Sequence, residues 1–375
     1  MKKICFVTAV PVSAEAFLKD HMDALRKEYK VYYVSSEPNP KNIKASFDGY
    51  HSVNIHRKIS IMNDFKALWR LFKYFRKEKF EAVHSVTPKA GLLTSIAAFF
   101  ARVPVRTHIY TGQVWANKSG VLRFILKFMD RLIALFDNHL LVDGEGQRQF
   151  LIKNRVLKEN NSRVLGSGSI CGVNLERFNP SDAMRNEKRI ELGISDDKIV
   201  FVFMGRLNRD KGLNELLAAF NMLATERDDV YLLLFGSDEE NISNTFQNYS
   251  SIKDQVNFQY YGPTREPFNM LQAGDVFVLP TYREGFGSSV IEASALELPV
   301  ICSDAYGVMD AMIDDVTGLR CKVGDVDSLY NSMLKLSNDR ELQSFLGRNG
   351  RERVVREFDG KKVTRNWIDF YREII

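Results

Sequence analysis

The chain has 375 residues, of which 45% are hydrophobic and 26% are charged. This composition excludes a disordered or low-complexity protein and allows two domains of ordinary size. The net charge of +5 hides an asymmetry, because residues 1–180 carry +14 and the remainder carries −9. The first half is therefore expected to face an anionic partner, either a phospholipid surface or a nucleic acid.

In chain order, the first half alternates short apolar runs with helical patterns, which favours a parallel sheet covered on both faces. Strands are predicted at residues 4–9, 31–35, 82–86, 105–110, 139–142 and 164–165, and helices at 14–28, 65–79 and 122–136. The first apolar run is short and ends at Pro11, so it predicts a buried strand rather than a leader peptide.

A second series of the same kind follows the stretch 166–193, which is polar, lacks clear periodicity and is expected to be a linker between two domains. Its predicted strands are 199–204, 231–235, 256–260, 276–279 and 300–302, and its predicted helices are 213–225, 266–273, 288–296 and 327–336. We therefore expect an α/β fold of two doubly wound, Rossmann-like domains facing across a cleft. They span residues 1–170 and 171–360, and the aromatic segment 361–375 is expected to pack back on the first domain as a helix.

Cysteine usage and hydropathy indicate a protein that does not span a membrane. The four cysteines form no C-x-x-C pair and no Cys/His cluster with zinc spacing, which indicates buried thiols in a reducing compartment. The longest nearly apolar stretch, 92–101, is far shorter than the roughly 20 residues that cross a bilayer. The chain is thus expected to be cytoplasmic, or to lie on a membrane surface.

The strongest chemical signal is the segment YREGFGSSVIE, residues 282–292, directly after a predicted strand. Gly285 and Gly287 let the backbone turn tightly and approach a ligand, and Ser288 and Ser289 suit the start of a helix. Exposed amides at such a helix start favour an anion such as a diphosphate.

Two glutamates, Glu284 and Glu292, flank this predicted anion site. Carboxylates would repel a phosphate that they touched, so they are better suited to accept hydrogen bonds from sugar and ribose hydroxyls. The competing interpretation is one helix-capping glutamate and one solvated glutamate.

A second signal is the basic loop MGRLNRDKG, residues 204–212, at the carboxyl end of another predicted strand. It groups Arg206, Arg209 and Lys211 in one loop. The cluster suits a cationic clamp on a diphosphate leaving group, because arginine binds phosphate with two prongs and lysine adds a point charge. A solvated basic turn is the alternative.

With these two loops and the later segment DVTGL, residues 315–319, in this order and spacing, the chain resembles the retaining glycosyltransferases of family 4. Members have the GT-B double-Rossmann fold, and the resemblance covers essentially the whole chain. It implies that Arg206 and Lys211 hold the donor diphosphate and that Gly205 lies in the donor site.

The same resemblance implies which residues contact the transferred sugar and the nucleoside of the donor. It implies that Glu292 binds the ribose hydroxyls and that Glu284 is a catalytic residue holding the transferred sugar. Backbone amides near Phe286–Ser288 would assist Glu284. Arg265 would contact the nucleobase.

The first half matches the family at fewer points, since the loop after its first strand lacks the paired glycines of many members. The segment THIYTGQVW, residues 107–115, resembles a subgroup that builds bacterial surface glycans on polyprenyl diphosphate carriers. This resemblance implies an active-site role for His108 and acceptor contacts for Thr87, Lys89 and Gly112. The alternatives are a core histidine and an ordinary helix start.

Neither the basic loop 204–212 nor the segment 282–292 contains a D-x-D triplet, so neither a divalent metal nor another cofactor is expected. The basic loop and the helix start would then stabilise the departing charge. No carboxylate is evidently placed as a nucleophile on the opposite sugar face. The resemblance implies retention by same-face attack, with a donor phosphate oxygen assisting deprotonation.

Residues 65–79 predict an amphipathic helix of the kind that lies in a lipid headgroup layer. The candidate membrane contacts are Lys66, Trp69, Arg70, Lys73 and Lys77. The alternative is an ordinary helix packed on the sheet, but the positive first half favours an anionic surface at the inner face of the cytoplasmic membrane. Nucleic acid is disfavoured, because the sequence has no helix-turn-helix, zinc-finger or RNP pattern.

The sequence thus predicts transfer of a hexose or N-acetylhexosamine-type sugar from a UDP-sugar to a polyprenyl-diphosphate-linked saccharide, in the assembly of capsule, lipopolysaccharide or another glycan. One alternative is a related nucleotide-sugar enzyme with a soluble acceptor, either a synthase or an epimerase. Another is an inactive, membrane-associated scaffold, which the joint presence of the basic and acidic site residues disfavours.

Overall fold

A computed structural model describes residues 1–37, 40–56, 60–253 and 257–375 of the chain. These residues form two compact units. The first unit comprises residues 1–172 together with 360–375, and the second comprises residues 173–359. The boundaries predicted from the sequence, at residues 170 and 360, differ from these by two residues and by one.

The first unit is a seven-stranded parallel sheet with the order β3-β2-β1-β4-β5-β6-β7. Its strands are β1 (Lys3–Val7), β2 (Lys30–Ser35), β3 (Gly49–Ser52), β4 (Ala82–Val86), β5 (Val105–Tyr110), β6 (His139–Val142) and β7 (Ser162–Val164). Its helices in chain order are α1 (Pro11–Phe17), α2 (Lys19–Leu25), α3 (Ile61–Glu78), α4 (Pro88–Phe100), α5 (Gly120–Phe136) and α6 (Glu145–Lys153). The central strand β4 is buried at all five positions, as expected where helices cover both faces.

The second unit is a six-stranded parallel sheet with the order β10-β9-β8-β11-β12-β13. Its strands are β8 (Ile199–Met204), β9 (Val230–Phe235), β10 (Phe258–Gly262), β11 (Val276–Leu279), β12 (Val300–Ser303) and β13 (Gly318–Cys321). Its helices are α7 (Asp182–Leu192), α8 (Leu213–Glu226), α9 (Ser250–Lys253), α10 (Pro267–Leu271), α11 (Ser288–Ala295), α12 (Val308–Ala311), α13 (Val326–Asn338) and α14 (Arg340–Arg353). Residue 256, in the strand predicted at 256–260, lies outside the described residues.

The stretch 166–193, expected to be an irregular linker, contains helix α7 and an ion cluster that ties this helix to the second sheet. Ser181 caps the helix by accepting a hydrogen bond from the Met184 amide. Arg189 is buried, and its guanidinium donates to Asp275 Oδ2 at 2.7 Å. Asp275 also accepts from Arg185 at 2.6 Å and from the Val200 amide at 2.7 Å, so one carboxylate joins the helix to the start of β8.

The last helix of the chain, α15 (Gly360–Ile374), belongs to the first unit. The buried indole of Trp367 stacks against two buried histidines, with ring centroids 4.6 Å from His21 and 4.9 Å from His84. The Tyr371 hydroxyl forms a 2.8 Å hydrogen bond with His84 Nδ1. These aromatic contacts hold α15 on the first unit.

The stacked histidines make the stability of the first unit depend on pH. Burial lowers the pKa of His21 to about 4 and the pKa of His84 well below its ordinary value. An unfolded histidine takes up a proton near pH 6.5, whereas folded His21 stays neutral down to about pH 4, so acidification through this window favours the unfolded chain. The buried carboxyls of Asp130 and Asp137, with pKa values raised to about 7, act in the opposite direction.

A His21→Gln substitution isolates this contribution from that of the carboxyls. We expect the variant to lose less stability than the native chain on going from pH 6.5 to pH 4, by on the order of 3 kcal/mol. Urea unfolding of both proteins at the two pH values measures the difference. Parallel pH profiles would show that His21 is not kept neutral by the fold.

Candidate functional site

The two loops singled out in the sequence follow neighbouring strands of the second sheet. Strand β8 pairs with β9 on one side and with β11 on the other, so the strand order reverses between β8 and β11. In open parallel α/β sheets, ligands bind at the carboxyl ends of the strands at such a reversal. The basic loop 205–212 follows β8, and the loop 280–287 follows β11, so both lie at this edge.

Glycines allow the basic loop to lie close against its neighbours. Gly212 has φ +71°, and a Cβ there would collide with the carbonyl oxygen of Pro280 at the start of the other loop. Gly236, after β9, has φ +139°, and a Cβ there would collide with the carbonyl oxygen of Gly205. These close approaches fix the basic loop between the loops that follow β9 and β11.

The central contact of the site joins Lys211 to Glu284. The Lys211 ammonium donates to Glu284 Oε1, and each side chain is only 16% exposed. The structure therefore brings together the cation and the carboxylate for which the sequence predicts separate ligand contacts. In this contact the two opposite charges neutralise each other. A bound nucleotide sugar would offer each of them a new partner, its diphosphate for Lys211 and its sugar for Glu284.

Arg206 has a different environment from Lys211. Its side chain is 54% exposed, and Nη1 lies 3.1 Å from Glu239 Oε2. Of the two cations implied to hold the donor diphosphate, Lys211 contacts Glu284, whereas Arg206 contacts Glu239. The reason is that the loop after β9 carries Glu239 and Glu240, and Glu240 also accepts from the Arg209 amide at 3.0 Å.

Several side chains that the sequence did not single out stabilise the two loops. Arg283 donates to Asp210 Oδ2 from Nη2 at 2.7 Å and from Nε at 3.0 Å. The Asp210 carbonyl accepts from the Tyr282 amide at 2.9 Å, and the Tyr282 hydroxyl donates to Glu215 at 2.7 Å. Asn208 Oδ1 is buried and has no hydrogen-bond partner in the described part of the chain, an acceptor that a ligand donor could satisfy.

Helix α11 begins directly after Gly287, which has φ +91° and whose backbone turns the chain into the helix. Ser288 and Ser289 occupy the first turn and are half-buried, and neither acts as an N-cap. The first turn holds no acidic residue, so its amide groups favour an anion.

Phe286 lies between the two glycines of this loop, but its side chain is not a site group. The ring is buried and packs edge-on against Phe358, with centroids 5.2 Å apart. Only the Phe286 backbone remains for donor binding, as the implied amide role requires. Gly307 supports the loop, because a Cβ there would lie 2.6 Å from the carbonyl oxygens of Glu284 and Gly285.

Glu292 lies in the second turn of α11 and is half-buried. Burial raises the pKa of its carboxyl to about 7, and the positive charge of Arg177 opposes the rise. Near neutral pH this carboxyl is present in both protonation states, so it can accept from or donate to a hydroxyl. This chemistry suits a ribose contact, and Arg177 is a neighbour that the sequence did not reveal.

Arg265 is exposed in the loop after β10. Strand β10 is at the edge of the sheet and is separated from β8 by β9. The described contacts therefore do not join Arg265 to Lys211 or Glu284, and its nucleobase contact stays a prediction. The DVTGL segment also has a structural role, because Thr317 Oγ1 accepts from the Ile313 amide at 2.9 Å in the turn that precedes β13.

The residues predicted in the first unit lie at the carboxyl ends of β4 and β5. Thr87 has φ +77°, which is strained for a β-branched residue, and its hydroxyl is buried without a hydrogen-bond partner in the described chain. Lys89, in the first turn of α4, lies 2.7 Å from Asp64. Gly112 is half-buried in the loop after β5.

His108 has the environment of the core histidine that was the alternative interpretation. It is buried, and Nδ1 forms a 2.8 Å hydrogen bond with Ser85 Oγ. Its imidazole lies so close to Gly91 that a Cβ there would be 2.5 Å from the ring. Burial lowers its pKa to about 3, so the neutral ring is the form present near pH 7. Its catalytic role stays a prediction.

The five predicted membrane contacts, Lys66, Trp69, Arg70, Lys73 and Lys77, are all exposed on α3. The opposite face of α3 packs on the unit through Ala67, Leu71 and Phe75. Among the described residues, no helix is both long and apolar enough to cross a membrane.

Comparison with known proteins places these loops in context. The family described as glycosyl transferases group 1 matches residues 184–353. The capsular polysaccharide biosynthesis glycosyltransferase CapM of Staphylococcus aureus is 30% identical over 358 residues, covering 96% of this chain and 94% of CapM.

Two further proteins extend the comparison. The UDP-Gal:alpha-D-GlcNAc-diphosphoundecaprenol alpha-1,3-galactosyltransferase of Escherichia coli is 26% identical to this chain, and the matched region covers 85% of this chain and 82% of the length of that protein. Among solved structures, Anabaena HepE in complex with UDP-glucose has a TM-score of 0.84 at 16% identity and covers 100% of both chains. This likeness shows the GT-B fold.

Proposed function

This chain belongs to the glycosyl transferases group 1 family, and we propose that it is a retaining enzyme transferring a hexose or N-acetylhexosamine-type sugar from a UDP-sugar to a polyprenyl-diphosphate-linked saccharide. The observation that carries the proposal is the contact between Lys211 and Glu284 where the strand order reverses. The names of two similar proteins support the substrates, since one is a UDP-Gal transferase with a diphosphoundecaprenol acceptor and the other was solved with UDP-glucose.

In this proposal each site group has a separate task. Lys211 and the amides at the start of α11 stabilise the negative charge that develops on the departing UDP, and preorganised donors of this kind contribute about 3–4 kcal/mol each. Glu284, released from Lys211, accepts hydrogen bonds from the transferred sugar. Glu292 binds the ribose, and Arg206 reaches the diphosphate by leaving Glu239, which its exposure permits.

The acceptor diphosphate is assigned to the first turn of α4. The strained backbone and the buried, unpartnered hydroxyl of Thr87 support this assignment, because strain of this kind is kept where a ligand uses it. Lys89 supplies the positive charge by exchanging Asp64 for a phosphate oxygen.

We place the protein at the inner face of the cytoplasmic membrane, held peripherally by α3. With its exposed basic residues, α3 resembles interfacial helices, in which each cation near an anionic headgroup layer contributes about 1 kcal/mol of binding free energy. The Lys73 ammonium lies 5.1 Å from the centre of the Trp69 ring. Co-sedimentation with anionic vesicles that weakens as salt is added would support this contact. Equal binding to neutral vesicles would contradict it.

A product screen tests the function directly. The purified chain is incubated with individual UDP-sugars and a polyprenyl-diphosphate-linked saccharide, in buffer with excess EDTA, and products are read by mass. We expect one UDP-sugar to extend the acceptor by one sugar, at a rate that EDTA does not change. Extension of only a soluble phosphorylated acceptor would contradict the proposed acceptor, and complete loss of turnover in EDTA would contradict metal-free transfer.

A further inference from the structure

The first unit has an open apolar groove between α3 and α4. The groove has a volume of about 300 Å³, and every side chain of the described residues that lines it is apolar. From α3 it is lined by Phe65, Trp69 and Phe72, and from α4 by Ile96 and Phe100.

The rims of this groove expose more aromatic surface than packing within the unit explains. Phe65 is 68% exposed, Trp69 is 51% exposed and Phe100 is 61% exposed. Single exposed apolar side chains are ordinary, but aromatic residues gathered around one concavity indicate a surface that a partner covers. The concave shape favours a narrow hydrocarbon chain over the flat surface of a bilayer.

An ion pair lies at one end of the groove. Lys89 contacts Asp64 where α3 and α4 begin, directly before Phe65. Ile96 and Phe100 follow Lys89 by seven and eleven residues, so they share its face of α4. At 1.5 Å per residue they lie about 10 Å and about 16 Å further along the helix. A cation thus heads an apolar channel that runs away from it.

We propose that this groove binds the isoprenoid chain of the lipid-linked acceptor, with the diphosphate at Lys89 and the first isoprene units between Trp69 and Phe100. The inference rests on the proposed function and specifies how its acceptor is held. The charge pattern fits this ligand class, because an isoprenoid diphosphate carries its charge at one end and only hydrocarbon beyond it. The apolar lining would remove that hydrocarbon from water.

Trp69 offers a direct readout of occupancy. The chain has three tryptophans, and the other two, Trp115 and Trp367, are each 1% exposed, so a ligand in the groove changes the environment of Trp69. Titration of the full chain with farnesyl diphosphate is expected to give a saturable blue shift of tryptophan emission. Inorganic diphosphate should give none, and a Trp69→Phe variant should lose the shift.

A matched pair of phenylalanines provides the control. Phe100 lines the groove, whereas Phe128 is similarly exposed, at 48%, on α5 outside it. Phe100→Asn is expected to weaken farnesyl diphosphate binding at least about tenfold, consistent with losing one buried aromatic contact. Phe128→Asn should leave binding within about twofold of the native chain, and the melting temperature of each variant checks its fold.

Other outcomes would overturn the proposal. Equal weakening by both substitutions would indicate unspecific adsorption on the apolar face. Equal binding of an unbranched alkyl phosphate of the same length would assign the groove to membrane acyl chains. If the product screen finds only soluble acceptors while Trp69 still responds to farnesyl diphosphate, the proposed function fails but the groove is still shown to bind an isoprenoid diphosphate. If the lipid-linked acceptor is extended but Trp69 does not respond, the groove assignment alone fails.

Discussion

Replacing Lys211 with alanine is expected to lower kcat for transfer from a UDP-sugar by about a hundredfold or more. One preorganised donor to a developing negative charge accounts for a loss of this size. The substitution also leaves Glu284 without its cation, so an uncompensated carboxylate would stand beside the diphosphate. Steady-state kinetics with saturating acceptor measure the effect.

Lys335→Ala is the matched control for this experiment. Lys335 is an exposed lysine of the same unit whose ammonium lies 3.5 Å from Asp315, away from the two site loops. We expect its removal to change kcat by less than about twofold. A Lys211→Ala enzyme that retains a third or more of the native kcat, with a native melting temperature, would remove Lys211 from charge stabilisation.

The largest expected loss of stability follows Asp275→Ala. The carboxylate is 7% exposed, and its removal leaves the buried guanidinium of Arg189, itself 2% exposed, without its countercharge. Breaking a buried ion pair from one side costs about 3–5 kcal/mol. The same change removes the acceptor of the Val200 amide at the start of β8, the strand that carries the basic loop. Urea unfolding followed by circular dichroism measures the change.

The control for this stability prediction is Asp229→Ala. Asp229 pairs with Arg227 at 2.6 Å, but its side chain is 41% exposed, so the expected loss is at most about 1 kcal/mol. Similar losses in the two variants would show that burial of the Arg189 pair does not determine its contribution.

The sequence predicts many of the parallel strands well because they are short runs of mostly buried residues. Strands β4, β5, β6, β8 and β11 have the predicted bounds, and β8 and β11 are continuous apolar runs in a buried layer. Strand β3 was missed, since GYHS is half-buried at the edge of the sheet and has no apolar run. The predicted helix 14–28 forms two helices, α1 and α2, that meet at Leu18.

The candidate site was predictable to the extent that it depends on adjacent strands. Lys211 and Glu284 meet because β8 and β11 are neighbours, and the order of strands in a doubly wound sheet allows that expectation. The pairing of Arg206 with Glu239 was not predictable. It depends on the path of the loop after β9, which follows from the backbone at Gly236 rather than from a pattern in the sequence.

The placement of α15 affects the order in which the protein is made. A ribosome releases residues 1–172 before any residue of the second unit, yet the Trp367 indole, which stacks against His21 and His84, follows that unit in the chain. Domains generally fold in the order of their synthesis. Here the unit that is translated first acquires its complete aromatic interior only after the second unit has been made, so a chain stopped at residue 359 would carry an unfinished first half.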